Sequence, residues 1–234
     1  MIKLYTGETV PLRRTVAAVH FCSLYDCYGK NSGVVQFWRA GEALLYALGG
    51  TLHISGRVRN IEELCAFVQL LGFRRMYCTQ KLAQHAGWTM QVPVIELVQT
   101  RRCASVLPNA ALKLQEIYAV LQNSGGAVEM PPFADFCVDF SHRLRHGGAR
   151  CVGDARGVAI TTGETREFAC IGGVAVLPAY RQSGYGSRLV QGLCAQLQAE
   201  QKTVLTSTVE PILPFYRANG FVVYGHYCYC GPEK

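Results

Sequence analysis

Apolar residues in the first third of the chain come in short runs, not at helical spacing. VVQFWR (34–39), ALLYAL (43–48) and TLHIS (51–55) are rich in β-branched and aromatic residues and are separated by Gly41-Glu42 and Gly49-Gly50. They read as a strand meander with tight turns. The period then changes. In NIEELCAFVQLLG, Ile61, Leu64, Phe67, Val68 and Leu71 recur at three- and four-residue spacing, Asn60 stands at the cap position with Glu63 three residues on, and Gly72 follows. This predicts a helix over 60–71. RRMYCT (74–79) reads as the next strand.

The second half starts with the strand pattern VPVIELVQ (92–99). Asn109 is placed to cap a helix running to about Gln122, with Leu112, Ile117, Val120 and Leu121 inward. Pro132 opens another, with Phe133, Phe136, Cys137, Phe140 and Leu144 on one face. Residues 149–178 carry three strand patterns, broken by turns at Asp154–Gly157 and Thr162–Thr165. A helix from Gly186 to Gln201, the strand TVLTST (203–208), a short helix near 211–218 and the strands FVVYG and HYCYC complete the order.

This order predicts an α+β mixed sheet with a parallel pair at the strand–helix–strand crossover. Strands 34–55, helix 60–71 and strand 75–79 repeat the order of strands 149–177, helix 186–201 and strand 203–208. Two related lobes are therefore expected, residues 1–91 and 92–234.

With 234 residues, half of them hydrophobic, the chain can bury a sizeable core. It has no apolar run of membrane-spanning length and no secretory pattern at its start, so the expected location is cytoplasmic, away from membranes. Eleven cysteines, an odd number without scaffold spacing, favour reduced thiols packed as small hydrophobes. Cys22 with Cys27 and Cys228 with Cys230 lack Cys-x-x-Cys spacing, and His142 with His146 lacks an accompanying glutamate motif, so no metal is expected.

The charge is uneven. Residues 1–114 hold 13 Lys or Arg against 6 Asp or Glu, whereas residues 115–234 hold 10 of each. Arg13-Arg14, Arg57 with Arg59, Arg74-Arg75 and Arg101-Arg102 form no long run and are not interleaved with aromatics, which argues against nucleic acid and for solvated charge.

The chemistry concentrates in CIGGVAVLPAYRQSGYGSRLV (170–190), where a strand ends in proline, passes an arginine and two spaced glycines, and enters an amphipathic helix. Glycines let backbone N–H groups converge, a helix N-terminus adds partial positive charge, and Arg181 adds a cation, so the segment makes an anion cradle suited to a pyrophosphate. Ser187-Arg188 after Gly186 lacks the lysine of a nucleoside-triphosphate loop, and Leu189 stands where a dinucleotide fingerprint needs its third glycine.

VAVLPAYRQSGYGSRLV resembles the acetyl-coenzyme A motif of the GNAT superfamily of N-acyltransferases, and PFYRANGFVVYG resembles that family's late tyrosine-bearing helix and final strands. The resemblance covers about residues 92–234. It implies a GNAT-like mixed, mainly antiparallel central sheet with flanking helices and acetyl-CoA as cosubstrate. By the same resemblance Val174, Ala175 and Val176 lie along the pantetheine arm, and Arg181, Gln182, Ser183, Gly184, Tyr185, Gly186 and Ser187 hold the pyrophosphate. Tyr216 matches the family's general acid. The family often has an asparagine seven residues earlier, where this chain has Val209, which puts one coenzyme contact in doubt.

The implied reaction is direct attack of an amine, on a small molecule or a protein, on the thioester. Glu210 and Glu167 are the candidate bases. The first half offers only SGRVRNIEEL at its helix start, with one glycine, and Glu62-Glu63 there would repel a phosphate, so it reads as a degenerate GNAT-like lobe. A different class stays open: a non-catalytic acyl-CoA-binding regulatory module whose basic first half contacts an acidic partner. The acceptor and the oligomeric state are not written in these residues.

Overall fold

The computed structural model describes residues 1–7, 14–30, 32–104, 107–125 and 130–232, so Arg13 lies outside the described residues. The chain divides into two compact units: Met1–Leu97 with Ser207–Leu213 and Val223–Lys234, and Val98–Thr206 with Pro214–Val222. The expected lobe border at 91/92 falls inside a strand, Thr89–Gln99.

In the first unit, β1 (Ile2–Leu4) and α1 (Val16–Tyr28) precede an antiparallel meander of β2 (Gln36–Ala40), β3 (Ala43–Leu48) and β4 (Thr51–Ser55). Next come α2 (Ile61–Leu70), β5 (Arg75–Thr79) parallel to β4, α3 (Gln80–His85) and β6 (Thr89–Gln99). Alternation along the strands divides the core. Phe37, Leu44, Tyr46 and Tyr77 pack with Ala17, Phe21 and Leu24 of α1. Trp38, Leu45, Met76 and Cys78 pack with Leu64 and Val68 of α2 and Leu82 of α3. Asn60 caps α2 through the Glu63 amide, as its position predicted. Leu71, expected inward, is 46% exposed, because the helical turns end at Leu70 and Leu71 only closes the cap.

The second unit contains α4 (Leu114–Asn123), α5 (Phe133–Arg145), the antiparallel meander β7 (Cys151–Asp154), β8 (Gly157–Glu164) and β9 (Phe168–Val176), then α6 (Tyr185–Ala199) and β10 (Thr203–Thr208), parallel to β9. A 3-10 turn at Glu210–Ile212, α7 (Leu213–Ala218) and β11 (Phe221–Gly231) follow, and β11 pairs with β5 in the first unit's residue set. Val158, Ile160 and Ala175 pack with Phe136 and Phe140 of α5 and Ile117 and Val120 of α4. Gly157, one residue out of phase with Val158, lies beneath the Tyr185 ring of α6.

Three local expectations change. Asn109 does not cap α4. It bridges to Val152, and the helix starts at Leu114 after a box in which Glu116 accepts from the Lys113 amide. The turn expected at Thr162–Thr165 lies beyond Glu164, since β8 absorbs Thr162 as an extra residue in its pairing with β9. The two final strands are one eleven-residue strand, because Gly225-His226 continues the extended backbone without a turn.

The fold is therefore α+β, a mixed and mainly antiparallel sheet arrangement flanked by helices, with one order of elements in both halves of the chain. A meander, a crossover helix and a parallel strand are followed in each by a six-residue helix, a left-handed glycine (Gly87, Gly220) and an eleven-residue strand. Counted from that glycine, Ala83 in α3 occupies the place of Tyr216 in α7, and Ala86 that of Asn219.

Candidate active site

The site grows from an irregularity in β9. Its register with β8 passes from Ile160↔Gly173 to Thr161↔Ile171, so Gly172 is the extra residue of a bulge. A Cβ there would lie 2.1 Å from Thr162 Cγ2, which only glycine avoids. The parallel ladder to β10 runs from Phe168↔Thr203 and ends at Ile171↔Thr206, next to the bulge. Beyond it, Val174, Ala175 and Val176 keep their pairing with β8 but have no rung to β10 among the described residues.

β9 then leads through a 3-10 turn, Pro178–Tyr180, into the cradle segment. Gln182 has φ 57° and Gly184 has φ 75°, two left-handed residues separated by one, an arrangement that turns successive N–H groups toward a common point. Gly184 is the N-cap of α6, where no side chain bonds the first turn and no acidic residue stands. The N–H groups of Tyr185, Gly186 and Ser187 therefore lack intrahelical acceptors at the positive end of a fifteen-residue helix. Arg181, Gln182, Ser183 and Gly184 are exposed.

Arg181 is more than a free charge. Its Nε donates to Val176 O at 3.1 Å and its Nη2 to Ser124 O, bracing the end of β9 against the end of α4. Gly186 lies 3.5–3.6 Å, at an ideal Cβ, from Phe215 and Val176, which is ordinary contact, so its own packing would tolerate alanine. Around Tyr185 the charge is denser than the motif suggested: the guanidiniums of Arg156 and Arg188 lie 4.8 and 5.1 Å from its ring centroid. Asp154 pairs with Arg156 at 2.5 Å and is held down to about 2 by that contact.

Tyr216 is buried between Phe215 and Phe221, with ring centroids 5.2 and 5.4 Å away. Thr206, which acts on the Tyr216 hydroxyl, donates to Ile171 O at 2.8 Å, at the last rung of the β9–β10 ladder. Burial pushes the Tyr216 pKa up, partly opposed by Thr206, so the phenol keeps its proton at neutral pH.

Asn219 is almost wholly buried and ties α7 to α6. Its Nδ2 donates to Ser187 Oγ at 3.1 Å and Phe215 O at 2.8 Å, and its Oδ1 accepts from Gln191 at 3.2 Å. The fold thus brings together Val174–Val176, Arg181–Ser187 and Tyr216. It does not bring Glu167, exposed in the turn before β9, to them: nine strand positions at about 3.3 Å each separate it from Val176. Glu210 is exposed at the start of its 3-10 turn and is counted with the first unit.

Sequence reasoning missed Asn219, Thr206 and Arg156. The first stands in plain view in RANGF, but its worth depends on α6 lying beside α7. It also missed a cluster in the first unit's core: the sulfurs of Cys78, Cys228 and Cys230 lie within 4.8 Å of one another, the one such group of possible metal ligands among the described residues. Spacing could not flag it, since Cys78 is on β5 and the others on β11. All eleven cysteines are free thiols, and no helix among the described residues is long and apolar enough to cross a membrane.

The site is thus a bulged strand parting from its parallel neighbour, an uncapped helix after it and a tyrosine near the parting point. Residues 135–223 match the family profile of the acetyltransferase (GNAT) domain. The chain is similar in structure to a GCN5-related N-acetyltransferase from Kribbella flavida (12% identity, 95% of this chain and 97% of that one, TM-score 0.63). It is also similar to a GCN5-related N-acetyltransferase from Sphaerobacter thermophilus (14%, 95% and 96%, TM-score 0.59) and to a tandem GNAT protein from the clavulanic acid biosynthesis pathway (14%, 97% and 92%, TM-score 0.58). A sequence search of curated proteins finds no match. Residues 135–223 thus match the GNAT acetyltransferase domain, and nearly the whole chain shares the fold of these solved structures.

Proposed function

We propose that the protein is an acetyl-CoA-dependent N-acetyltransferase that passes the acetyl group to a primary amine of a small molecule or a protein by direct attack. The carrying observation is the uncapped, acid-free N-terminus of α6 behind the left-handed pair Gln182 and Gly184, with Tyr216 near the parting of β9 and β10. Residues 92–234 form the catalytic lobe in chain order and 1–91 a degenerate one. The coenzyme supplies an acetyl thioester, an acyl group already activated for attack.

The residues present fit such a group. The amides of Tyr185, Gly186 and Ser187 and the Arg181 charge would hold its pyrophosphate, and Ser187, fixed by Asn219, keeps its hydroxyl proton for the same anion. The edge of β9 at Val174–Val176 would bind the pantetheine amides, and a strand amide near Val176 would polarise the thioester oxygen. Tyr216, holding its proton, would donate it to the departing sulfur. Glu210 remains the candidate base. Glu167 is assigned no step, because it sits about 30 Å of strand away from Val176.

The test is release of free coenzyme thiol from acetyl-CoA across a panel of small amines and lysine peptides. Amine-dependent release is expected. Tight coenzyme binding without release for any amine would support the other reading, a non-catalytic acyl-CoA-binding module contacting an acidic partner. The cytoplasm, where acetyl-CoA and reduced thiols coexist, is the proposed location.

A further inference from the structure

Two cysteines outside the proposed transfer chemistry share a partner. Gln99, at the end of β6, places its Nε2 3.6 Å from Cys103 Sγ and 3.8 Å from Cys194 Sγ while donating to Asn219 O at 2.8 Å. One amide nitrogen touches both sulfurs. Cys194 is fully buried in the middle of α6, whereas Cys103 is half-buried.

The segment carrying Cys103 is held to α6 and α7 by bonds between side chains and backbone. Cys103 N donates to Gln198 Oε1 at 2.9 Å, Gln198 Nε2 donates to Arg101 O at 3.0 Å, and Arg101 Nη2 donates to Ala218 O at 2.5 Å. These bonds fix the segment in place, and Gln99 brings the two sulfurs to one amide nitrogen.

We propose that Cys103 and Cys194 form a peroxide-reactive dithiol, in which Cys103 is the oxidised nucleophile and Cys194 the thiol that closes the disulfide. In the first step the Cys103 thiolate attacks a hydroperoxide oxygen. The O–O bond breaks, sulfur is oxidised to a sulfenic acid, and the other oxygen leaves as hydroxide or alkoxide, taking up a proton. In the second step Cys194 sulfur attacks the sulfenic sulfur, the S–O bond breaks, and the Cys194 proton leaves with the hydroxyl as water. The oxidant is consumed and both thiols end in one disulfide.

The electrostatics suit this division of roles. The hydrogen bond from Cys194 brings Cys103 down to about 7 against the opposing effect of burial, with help from the Arg101 charge. Cys194 moves the other way and keeps its proton, directed at Cys103. Cys22 and Cys65, also half-buried, differ. Burial, with Asp26 adding to it, raises Cys22 to about 11, and burial also raises Cys65.

The experiment treats the full reduced chain with a small excess of hydrogen peroxide, alkylates the remaining thiols, digests without reduction and maps peptides by mass spectrometry. A peptide joining Cys103 to Cys194 should appear before Cys22, Cys65 or Cys137 is modified. Equal rates at those three cysteines, or Cys103 found only in disulfides between chains, would overturn the proposal. With Cys194→Ser, capture of the Cys103 sulfenic acid by a 1,3-dione should rise about tenfold over wild type, because nothing resolves it. Equal capture in the two proteins would refute the resolving role. Should that variant not fold, the wild-type map decides alone. No step requires acetyl transfer, so failure here and failure of the proposed function are separate results.

Discussion

In the first unit β4 enters α2 through Gly56–Asn60, and the helix start is already occupied. Asn60 accepts from the Glu63 amide, Glu62 and Glu63 supply negative charge, and Glu63 itself takes the Ile2 amide at 2.5 Å and the terminal ammonium at 3.1 Å. In the second unit β9 enters α6 through a longer segment with two left-handed residues, a glycine cap and no acid. Each crossover returns to a parallel pair, β4 with β5 and β9 with β10. A shared order of elements thus brings a helix N-terminus to the end of a strand in both, and the first-turn side chains decide whether an anion can use it.

The same contrast runs through the buried carboxylates. Glu96, 1% exposed in the first unit, accepts from Tyr77 at 2.8 Å and from the Val16 amide at 3.2 Å but has no cation among those partners, and burial raises it to about 7. Burial would also raise Glu164, 5% exposed in the second unit, but hydrogen bonds from Arg150, Lys202 and Thr161 outweigh it and hold the carboxyl below its ordinary value.

The strongest test of the comparison removes what the second unit has and the first lacks. Tyr216→Phe moves α7 toward its counterpart, where Ala83 stands, and should lower kcat about a hundredfold, the scale of a positioned acid, with coenzyme affinity nearly unchanged. A full-rate phenylalanine variant would leave Tyr216 as packing.

Next in size is the pH response of the first unit. The folded pKa of Glu96 lies above its unfolded value, so the native state holds the proton longer, and the unit should lose stability as pH rises from about 4.5 to about 7. The loss between pH 5 and pH 7 should be about 2 kcal/mol. Both tryptophans, Trp38 and Trp88, lie in this unit, so their fluorescence during urea unfolding reads it directly. Glu96→Gln should flatten the slope, and an unchanged slope would place its origin elsewhere. Glu164 has the opposite sign: its depressed pKa means its contribution is present above the unfolded value and is lost as pH falls through the folded one.

A transplant sharpens the contrast further. Ser187 and Glu63 both stand at the third helical position, so Ser187→Glu gives α6 the charge that α2 carries. Coenzyme affinity should fall about tenfold, since a carboxylate then competes for the same amides. Calorimetry would show it, and unchanged affinity would move the pyrophosphate away from α6.

The smallest expected effect is none. Neutralising Arg57 and Arg59 together should leave coenzyme affinity as it is, with one coenzyme per chain. Two calorimetric sites, or lost binding in the double variant, would mean that the first crossover also holds a coenzyme.

The sequence by itself determined what depends on neighbours along the chain. Periodicity placed β3, β4 and β10 at their observed limits, the Asn60 cap followed from local hydrogen bonding, and RQSGYG announced a turn that only glycine-rich backbone can make. Tertiary structure alone decided what depends on residues distant in sequence. Asn109 looks like a cap but is used by Val152, Arg181 looks like a free charge but braces Ser124, and Cys103 reads as an isolated thiol until α6 brings Cys194 to the same Gln99 amide. Caps and turns are satisfied within a few residues, so their residue types betray them. A buried bond between distant segments leaves no periodic trace, because either partner alone is an ordinary polar or sulfur side chain.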